Sequence, residues 1–162
     1  MERCHICSKP ATIELTYLKK MSCNRCLFKI NYKRFRNEIR GVKKVSVTKE
    51  DKPSFYLMEH FLEKANIDYT FSPKGKVKST SQDELVEMFF ESVFRNKKFK
   101  LGGLLPMSGI PDREINQLND YLKIKSKVKK RSKISKQVDD IEIKRPGARF
   151  SVVKLIKQIN EL

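Results

Sequence analysis

Two Cys-x-x-Cys pairs within the first 26 residues, followed by short period-two runs interleaved with amphipathic helical stretches, predict an α/β protein: a cysteine module preceding a small parallel-sheet domain. Charge supplies the third observation. The 162 residues carry 36 Lys and Arg against 19 Asp and Glu, a formal net charge of +17. An excess of that size concerns partners rather than fold, and points to polyanions such as nucleic acid. It is unevenly spread, summing to +9 over residues 1–44, −3 over 45–94, +9 over 95–145 and +2 over 146–162. Two basic blocks around an acidic middle predict a localised footprint rather than a solubilising coat. At 39% hydrophobic residues the chain lies above the disordered class and can build a modest core. No window reaches the roughly 18 consecutive apolar residues of a membrane span, and the opening Met1-Glu2-Arg3-Cys4-His5 is not a secretory signal, so a cytoplasmic protein is expected. With every cysteine near one end, a disulfide framework for the whole chain is excluded.

Residues 1–27 read as a zinc ribbon. Cys4-His5-Ile6-Cys7 and Cys23-Asn24-Arg25-Cys26 are separated by fifteen residues, the spacing of a structural metal site. Two residues between thiolates make a knuckle that turns both sulfurs to one ion, and two knuckles close a tetrahedron at Zn–S distances of about 2.3 Å. Cys4, Cys7, Cys23 and Cys26 are therefore the expected ligands of a structural Zn²⁺, with no position left for water or substrate. Redox or unmetallated cysteine pairs are the alternative, and His5 is either a substitute ligand or a solvated side chain. Between the knuckles, residues 12–18 alternate as a strand.

After Cys26 the period becomes helical. Phe28, Tyr32, Phe35 and Ile39 form one apolar face of a helix over residues 28–41, and Lys29, Lys33, Arg36 and Arg40 repeat the same spacing one residue on. Such a helix packs on a domain while presenting a row of cations to phosphates; a merely solvated charged face is the alternative. A second basic run, residues 123–136, holds eight Lys and Arg in fourteen positions and reads as a mobile segment that orders on a partner. Its candidate nucleic-acid contacts are Lys127, Lys129, Lys130, Arg131 and Lys133, within a basic segment assigned to 123–145.

Residues 42–122 carry the α/β unit. Lys44 to Thr48 is a short strand, Ser54 to Asn66 a helix burying Leu57, Met58, Phe61, Leu62 and Ala65, and Ile67 to Phe71 a second strand. A weaker strand falls at residues 76–79. Ser81-Gln82-Asp83-Glu84 is a capping box in front of Leu85, Val86, Met88, Phe89, Phe90, Val93 and Phe94. Strands alternating with helices imply a parallel sheet, whose phosphate position is the turn after the first strand. That turn reads Lys49-Glu50-Asp51-Lys52-Pro53-Ser54, without glycine and with two carboxylates, and so opposes a backbone nest for ATP phosphates. His60 is expected to be packed or at the surface rather than a general base, Asp139-Asp140-x-Glu142 to balance local charge, and Gly102-Gly103 to form a turn. A last helix occupies residues 146–162.

The Cys-x-x-Cys…Cys-x-x-Cys-Leu-Phe opening and the basic helix ending Arg36-Asn37-Glu38-Ile39-Arg40 resemble the zinc finger and linker helix of the tRNA 2-thiouridine (wobble uridine) synthetases, in the PP-loop ATP pyrophosphatase superfamily. Val45-Ser46-Val47-Thr48 is similar to the strand before that family's Ser-Gly-Gly-Lys-Asp-Ser loop, of which only Lys52 and Ser54 are kept. The family's Gly-His-Asn-x-Asp-Asp helix start falls on Ser79 to Glu84, retaining Asp83 and the acidic Glu84. Ile110-Pro111-Asp112-Arg113-Glu114-Ile115 and Pro146-Gly147-Ala148-Arg149-Phe150 resemble two later motifs. The resemblance implies a reduced, degenerate PP-loop domain of the Rossmann-like, adenine nucleotide alpha hydrolase type.

Altered loop, altered acidic pair and no cysteine beyond Cys26 together imply a shortened, degenerate paralogue, similar to the cytoplasmic tRNA 2-thiolation protein 2 branch of the family. The implied role is that of a non-catalytic subunit, a pseudoenzyme with structural zinc and with neither ATP nor an iron–sulfur cluster, that helps an active thiolase, its heterodimer partner, to bind or position tRNA. The alternatives are a stand-alone zinc-ribbon protein binding nucleic acid in transcription or ribosome biogenesis, and an adenylating enzyme with a divergent loop.

Overall fold

Thr12 to Leu15 alternate exposed and buried side chains, which places Ile13 and Leu15 against the core while Glu14 faces water. In the computed structural model, which describes residues 2–127 and 132–161, this strand β1 (Ile13–Leu15) pairs antiparallel with β2 (Lys20–Ser22) in the register Ile13–Ser22, Glu14–Met21 and Leu15–Lys20. The chain then turns at Cys23, in extended conformation, into helix α1 (Asn24–Glu38). Its apolar face is the expected one: Phe35 and the following Ile39 are buried, Phe28 and Tyr32 half-buried.

The α/β unit follows. Strand β3 (Lys44–Val47) leads to α2 (Pro53–Lys64), with Pro53 in the first turn where its missing N–H costs nothing, and to β4 (Asp68–Phe71). The two strands are parallel, Val45 opposite Tyr69 and Val47 opposite Phe71. The weaker strand around residue 77 is reduced to single parallel bridges, Val47 to Val77 and Val77 to Leu104, which carry the parallel pattern past β3. Helix α3 (Gln82–Phe94) begins on the expected capping box: Ser81 Oγ accepts from the Glu84 N–H at 3.3 Å, and the Glu84 carboxylate accepts from the Ser81 N–H at 3.2 Å. Helices α4 (Asp112–Leu122), α5 (Lys133–Lys144) and α6 (Ala148–Glu161) complete the chain.

The main core joins β1, α1, α2, β3 and α4 around Phe35, Phe55, Phe61, Leu62, Ile115 and Leu118. A smaller core, Leu85, Val86, Val138, Val153 and Ile156, holds α3, α5 and α6 together. Only one face of α3 is covered by these partners, so Met88, Val93 and Phe94, read from sequence as part of its apolar run, are exposed, Phe94 by 69%. Apolar residues circle the C-terminal half of α3, and two neighbouring helices cannot cover the whole circumference.

Buried polar groups tie α1 to α4. Asn31 Nδ2 donates to Glu114 Oε2 at 2.7 Å, and the Arg34 guanidinium pairs with the same oxygen at 3.2 Å while stacking on Tyr17 and Phe150. Burial pushes the Glu114 carboxyl above its ordinary range, against the pull of Arg34 and Asn31. A carboxyl raised in the folded state contributes stability that is fully present below its unfolded pKa and is lost as pH rises through the folded value. Urea unfolding of Glu114→Gln should therefore show a flatter pH profile across the carboxylate range than the parent; superimposable slopes would remove Glu114 as the source.

Candidate metal centre and nucleic-acid interface

The first knuckle closes tightly on itself. The Cys4 N–H donates to the Lys9 carbonyl at 2.8 Å and the Ser8 N–H to the Cys4 carbonyl at 2.9 Å, with Ser8 in the left-handed region at φ 57°. The second knuckle is the start of α1. Cys23 is its N-cap and Cys26 lies in its first turn, so both sulfurs sit at the N-terminal end of the helix. The strand pair β1–β2 brings the knuckles together. The four Sγ atoms lie within 4.8 Å of one another, Cys7 to Cys23 at 3.6 Å, and Cys4, Cys23 and Cys26 are buried while Cys7 is exposed. Among the described residues this is the one such metal-competent group of His, Cys and acidic side chains. His5 is not part of it: its Nδ1 lies 2.8 Å from the Met21 carbonyl, and a carbonyl only accepts, so the proton sits on Nδ1.

The thiols differ in acidity. Burial opposes ionisation of Cys4, but hydrogen bonds from the backbone at Cys23, Ile6 and Cys7 overcome it and bring the thiol down to about 5. Burial, and then hydrogen bonding with the other three sulfurs, pushes Cys26 up to about 12. Cys4 thus carries charge easily, whereas Cys26 holds a proton that a bound cation would displace. Four soft donors without a carboxylate fit a thiophilic metal, either zinc or iron, and four thiolates are also the ligand set of iron–sulfur clusters.

Lys29, Lys33 and Arg36 lie exposed on α1 at the expected spacing, whereas Arg40 is exposed in the turn after it, because the helix runs Asn24–Glu38 rather than over the expected 28–41. Arg36 reaches the Ala65 carbonyl at the end of α2 at 3.5 Å. Arg34, on the neighbouring row, turns inward to Glu114. Beside the row lies a cleft of about 610 Å³ that the sequence did not reveal, to which α2 adds His60 and Lys64 and α4 adds Tyr121 and Leu122. Of the second basic block, Lys127 and Lys133 are exposed, whereas Lys129, Lys130 and Arg131 lie outside the described residues.

The turn after β3 lines a second cleft, of about 820 Å³. Lys52 is held between Glu50 (3.1 Å) and Glu84 (2.8 Å), and Glu50 accepts from the Ser79 hydroxyl at 2.6 Å. Burial raises the Glu50 carboxyl, but the Ser79 and Lys52 contacts outweigh it and hold the group below its ordinary range. Asp51 accepts from the Tyr56 hydroxyl at 2.8 Å, Lys49 lies 5.6 Å from the Phe71 ring centre, and Pro53 and Ser54 are buried at the start of α2. Lys74, Lys76 and Lys78 line the same cleft, an alternation of period two that the sequence shows once the strand is recognised. Gly75 sits against β3, where a Cβ would collide with the backbone of Val47 and Thr48.

A two-knuckle cysteine module, a linking helix and a small parallel-sheet unit with helices around it make up a mixed α/β architecture. No family model matches the chain, and no curated protein matches it in sequence. Among solved structures it is similar to the U34-tRNA thiolase NcsA from Methanococcus maripaludis with its [4Fe-4S] cluster, at a TM-score of 0.79, covering 99% of this chain and 88% of that chain with 13% identity. The likeness is one of fold, and it confirms the expected class.

Two expectations are overturned by this neighbour. The inference of a catalytically dead chain does not hold, because the fold matched almost end to end is that of a thiolase, and the clustered cysteines fit a metal or cluster site. The assignment of structural zinc alone, with an iron–sulfur cluster excluded, does not hold either: the neighbour carries a [4Fe-4S] cluster, and this chain assembles four thiols. The physical reason is shared. Counting only cysteines beyond Cys26 treated the first four as already committed to a closed ion site, whereas a compact set of four thiolates is itself a complete donor set for iron. Among the described residues no helix is long and apolar enough to cross a membrane.

Proposed function

We propose that this chain acts in the 2-thiolation of tRNA wobble uridine, binding tRNA over the basic face of α1. The observation that carries the proposal is the fold match across 99% of the chain to a U34-tRNA thiolase. The exposed row Lys29, Lys33, Arg36 and Arg40 supports it, since a phosphate backbone is the partner such a row fits. Lys127 and Lys133, both exposed, are assigned as further phosphate contacts, and Lys129, Lys130 and Arg131 of the same run are assigned with them on sequence alone. Cys4, Cys7, Cys23 and Cys26 hold a metal ion or an iron–sulfur cluster at the base of α1. We divide the chain into that cysteine module (1–27), the linker helix (28–41), the α/β unit (42–122), the basic segment (123–145) and the C-terminal helix (146–162). A second, full-length thiolase chain as partner is part of the proposal, supported by the exposed Met88, Val93 and Phe94. The compartment we assign is the cytoplasm.

The deciding experiment measures 2-thiouridine in total tRNA from a deletion strain by mass spectrometry, together with tRNA binding by the purified chain. Loss of the modification with tRNA binding in vitro supports the proposal; normal 2-thiouridine with retained RNA binding would favour the stand-alone nucleic-acid-binding alternative. Neutralising Lys29, Lys33, Arg36 and Arg40 together should weaken tRNA binding and lower the slope of log K against log salt by about 0.7–0.9 for each phosphate that is no longer neutralised. An unchanged slope would place the phosphate-binding surface elsewhere.

A further inference from the structure

We propose that the cleft between α1, α2 and the end of α4 is a pocket for one unpaired RNA nucleotide, its base against Phe28 and Tyr32 and its phosphates on the surrounding cations. This rests on the tRNA-binding reading and adds to it a specific place and a specific preference. Phe28 and Tyr32 are one helical turn apart on α1, with ring centres 5.9 Å apart and planes only 17° from parallel, and both are half-buried. Both rings pack edge-on against buried Phe61, at 5.4 and 5.5 Å, which fixes them, and both line the cleft. Lys64 lies over those rings, its Nζ 5.5 Å from the Phe28 centre and 5.8 Å from that of Tyr32. The ammonium covers those rings, but Lys64 is exposed, and because an exposed ammonium holds a π-face more weakly than a stacked base does, it can yield the face and take a phosphate.

The remaining walls suit the same occupant. Arg25, Lys29, Lys33 and Arg36 line the cleft from α1, and among the described residues no carboxylate lines it. His60 stands edge-on to Phe28 at 6.0 Å, and Tyr121, 47% exposed, closes the far side. At about 610 Å³ the cleft falls within the range of sites for small molecules and single nucleotides. A uniformly cationic rim around a flat aromatic floor matches a nucleotide that has left its stack. A duplex offers phosphates to such a rim but keeps its bases paired, so it can use the cations without the rings.

The test uses the full chain and two RNA probes of equal length, a hairpin with an unpaired loop and a blunt duplex. The parent should bind the hairpin more tightly. Tyr32→Leu combined with Tyr121→Ala should weaken hairpin binding by about 5- to 150-fold and leave duplex affinity and the salt slope unchanged. Lys29→Gln with Lys33→Gln should weaken both probes and lower the slope. If the aromatic variant leaves hairpin binding unchanged, or weakens both probes alike, the pocket is overturned while the phosphate surface stands; if neither probe binds, the tRNA-binding reading falls as well. A second measurement does not depend on the variants folding. A 5-iodouridine in the loop should photo-crosslink to Phe28, Tyr32 or Tyr121 of the parent chain, because that chemistry requires ring stacking, and crosslinks confined to other residues would overturn the proposal.

Discussion

Cys→Ser at any one of Cys4, Cys7, Cys23 or Cys26 should abolish the metal binding proposed for these thiols and unfold the first 27 residues. Each sulfur is a quarter of the donor set, and the four lie within 4.8 Å only because two knuckles and a three-residue strand pair hold them there. Strands this short bury too little to persist alone. Metal binding to structural four-ligand sites contributes on the order of 10 kcal/mol of folding free energy, far more than β1 and β2 can supply by packing. The loss would not stop at the module, because Ile13, Leu15 and Leu27 belong to the main core and are at most 4% exposed. Metal content by mass spectrometry should fall to background for all four variants. Amide exchange should become fast at β1, β2 and the first turn of α1, with slower gains in α2 and α4. Iron and zinc are read in the same measurement, so the parent's metal is identified alongside the variants. A variant that keeps its metal and its exchange protection would show that the four thiols do not act as one site.

What the sequence revealed depended on separation along the chain. The Cys-x-x-Cys pairs, the apolar and basic rows of α1 and the Ser81–Glu84 box involve residues three or four apart or paired by a known spacing. The pairs and the box appear as read, and the rows do as far as Phe35 and Arg36, since the helix ends at Glu38 ahead of Arg40. The parallel pair β3–β4 was legible as two alternating runs around a helix. By contrast, β2 is three residues with no alternation to detect, formed because the knuckles fix its register against β1. Helix α4 begins on Pro111 without a local side-chain cap, and the Asp112 N–H is accepted by Asp83 from α3, 29 residues away. The cleft beside α1 gathers Phe28, His60 and Tyr121 from three helices. No local pattern joins those positions; only the packing of α2 and α4 on α1 does. The cysteines show a different limit, since their spacing announced a metal site while leaving its occupant open, and a closed zinc site was read where four clustered thiols fit a metal ion or a cluster alike.

Arg149→Ala should cost about 3–5 kcal/mol and release α5 and α6 from the rest of the molecule. Arg149 is 8% exposed at the first turn of α6, where its guanidinium meets Asp83 of α3 at 2.8 Å, Asp139 of α5 in close contact and Glu142 of α5 at 3.9 Å. One cation therefore faces three carboxylates drawn from two helices. Glu142 also accepts from the backbone N–H groups of Gly147 (2.8 Å) and Arg149 (3.0 Å), so the same cluster caps the start of α6. The apolar side chains beneath it are few: among the described residues Leu85, Val86, Val138, Val153 and Ile156 form the buried part of that core. Truncation to alanine removes the cation that Asp83, Asp139 and Glu142 share, and a core this small cannot absorb the added repulsion. For a chain of this length the loss corresponds to a fall in Tm of roughly 10 °C. Arg149→Lys should fall between the two, since an ammonium keeps the charge but cannot reach three acceptors with a planar fork. Native-state exchange separates this effect from general destabilisation: α5 and α6 should lose protection first, while β3, α2 and α4 keep theirs. Uniform loss of protection, or unfolding within about 1 kcal/mol of the parent, would mean that the apolar packing of α3 against α6 holds the C-terminal helices without the ion cluster.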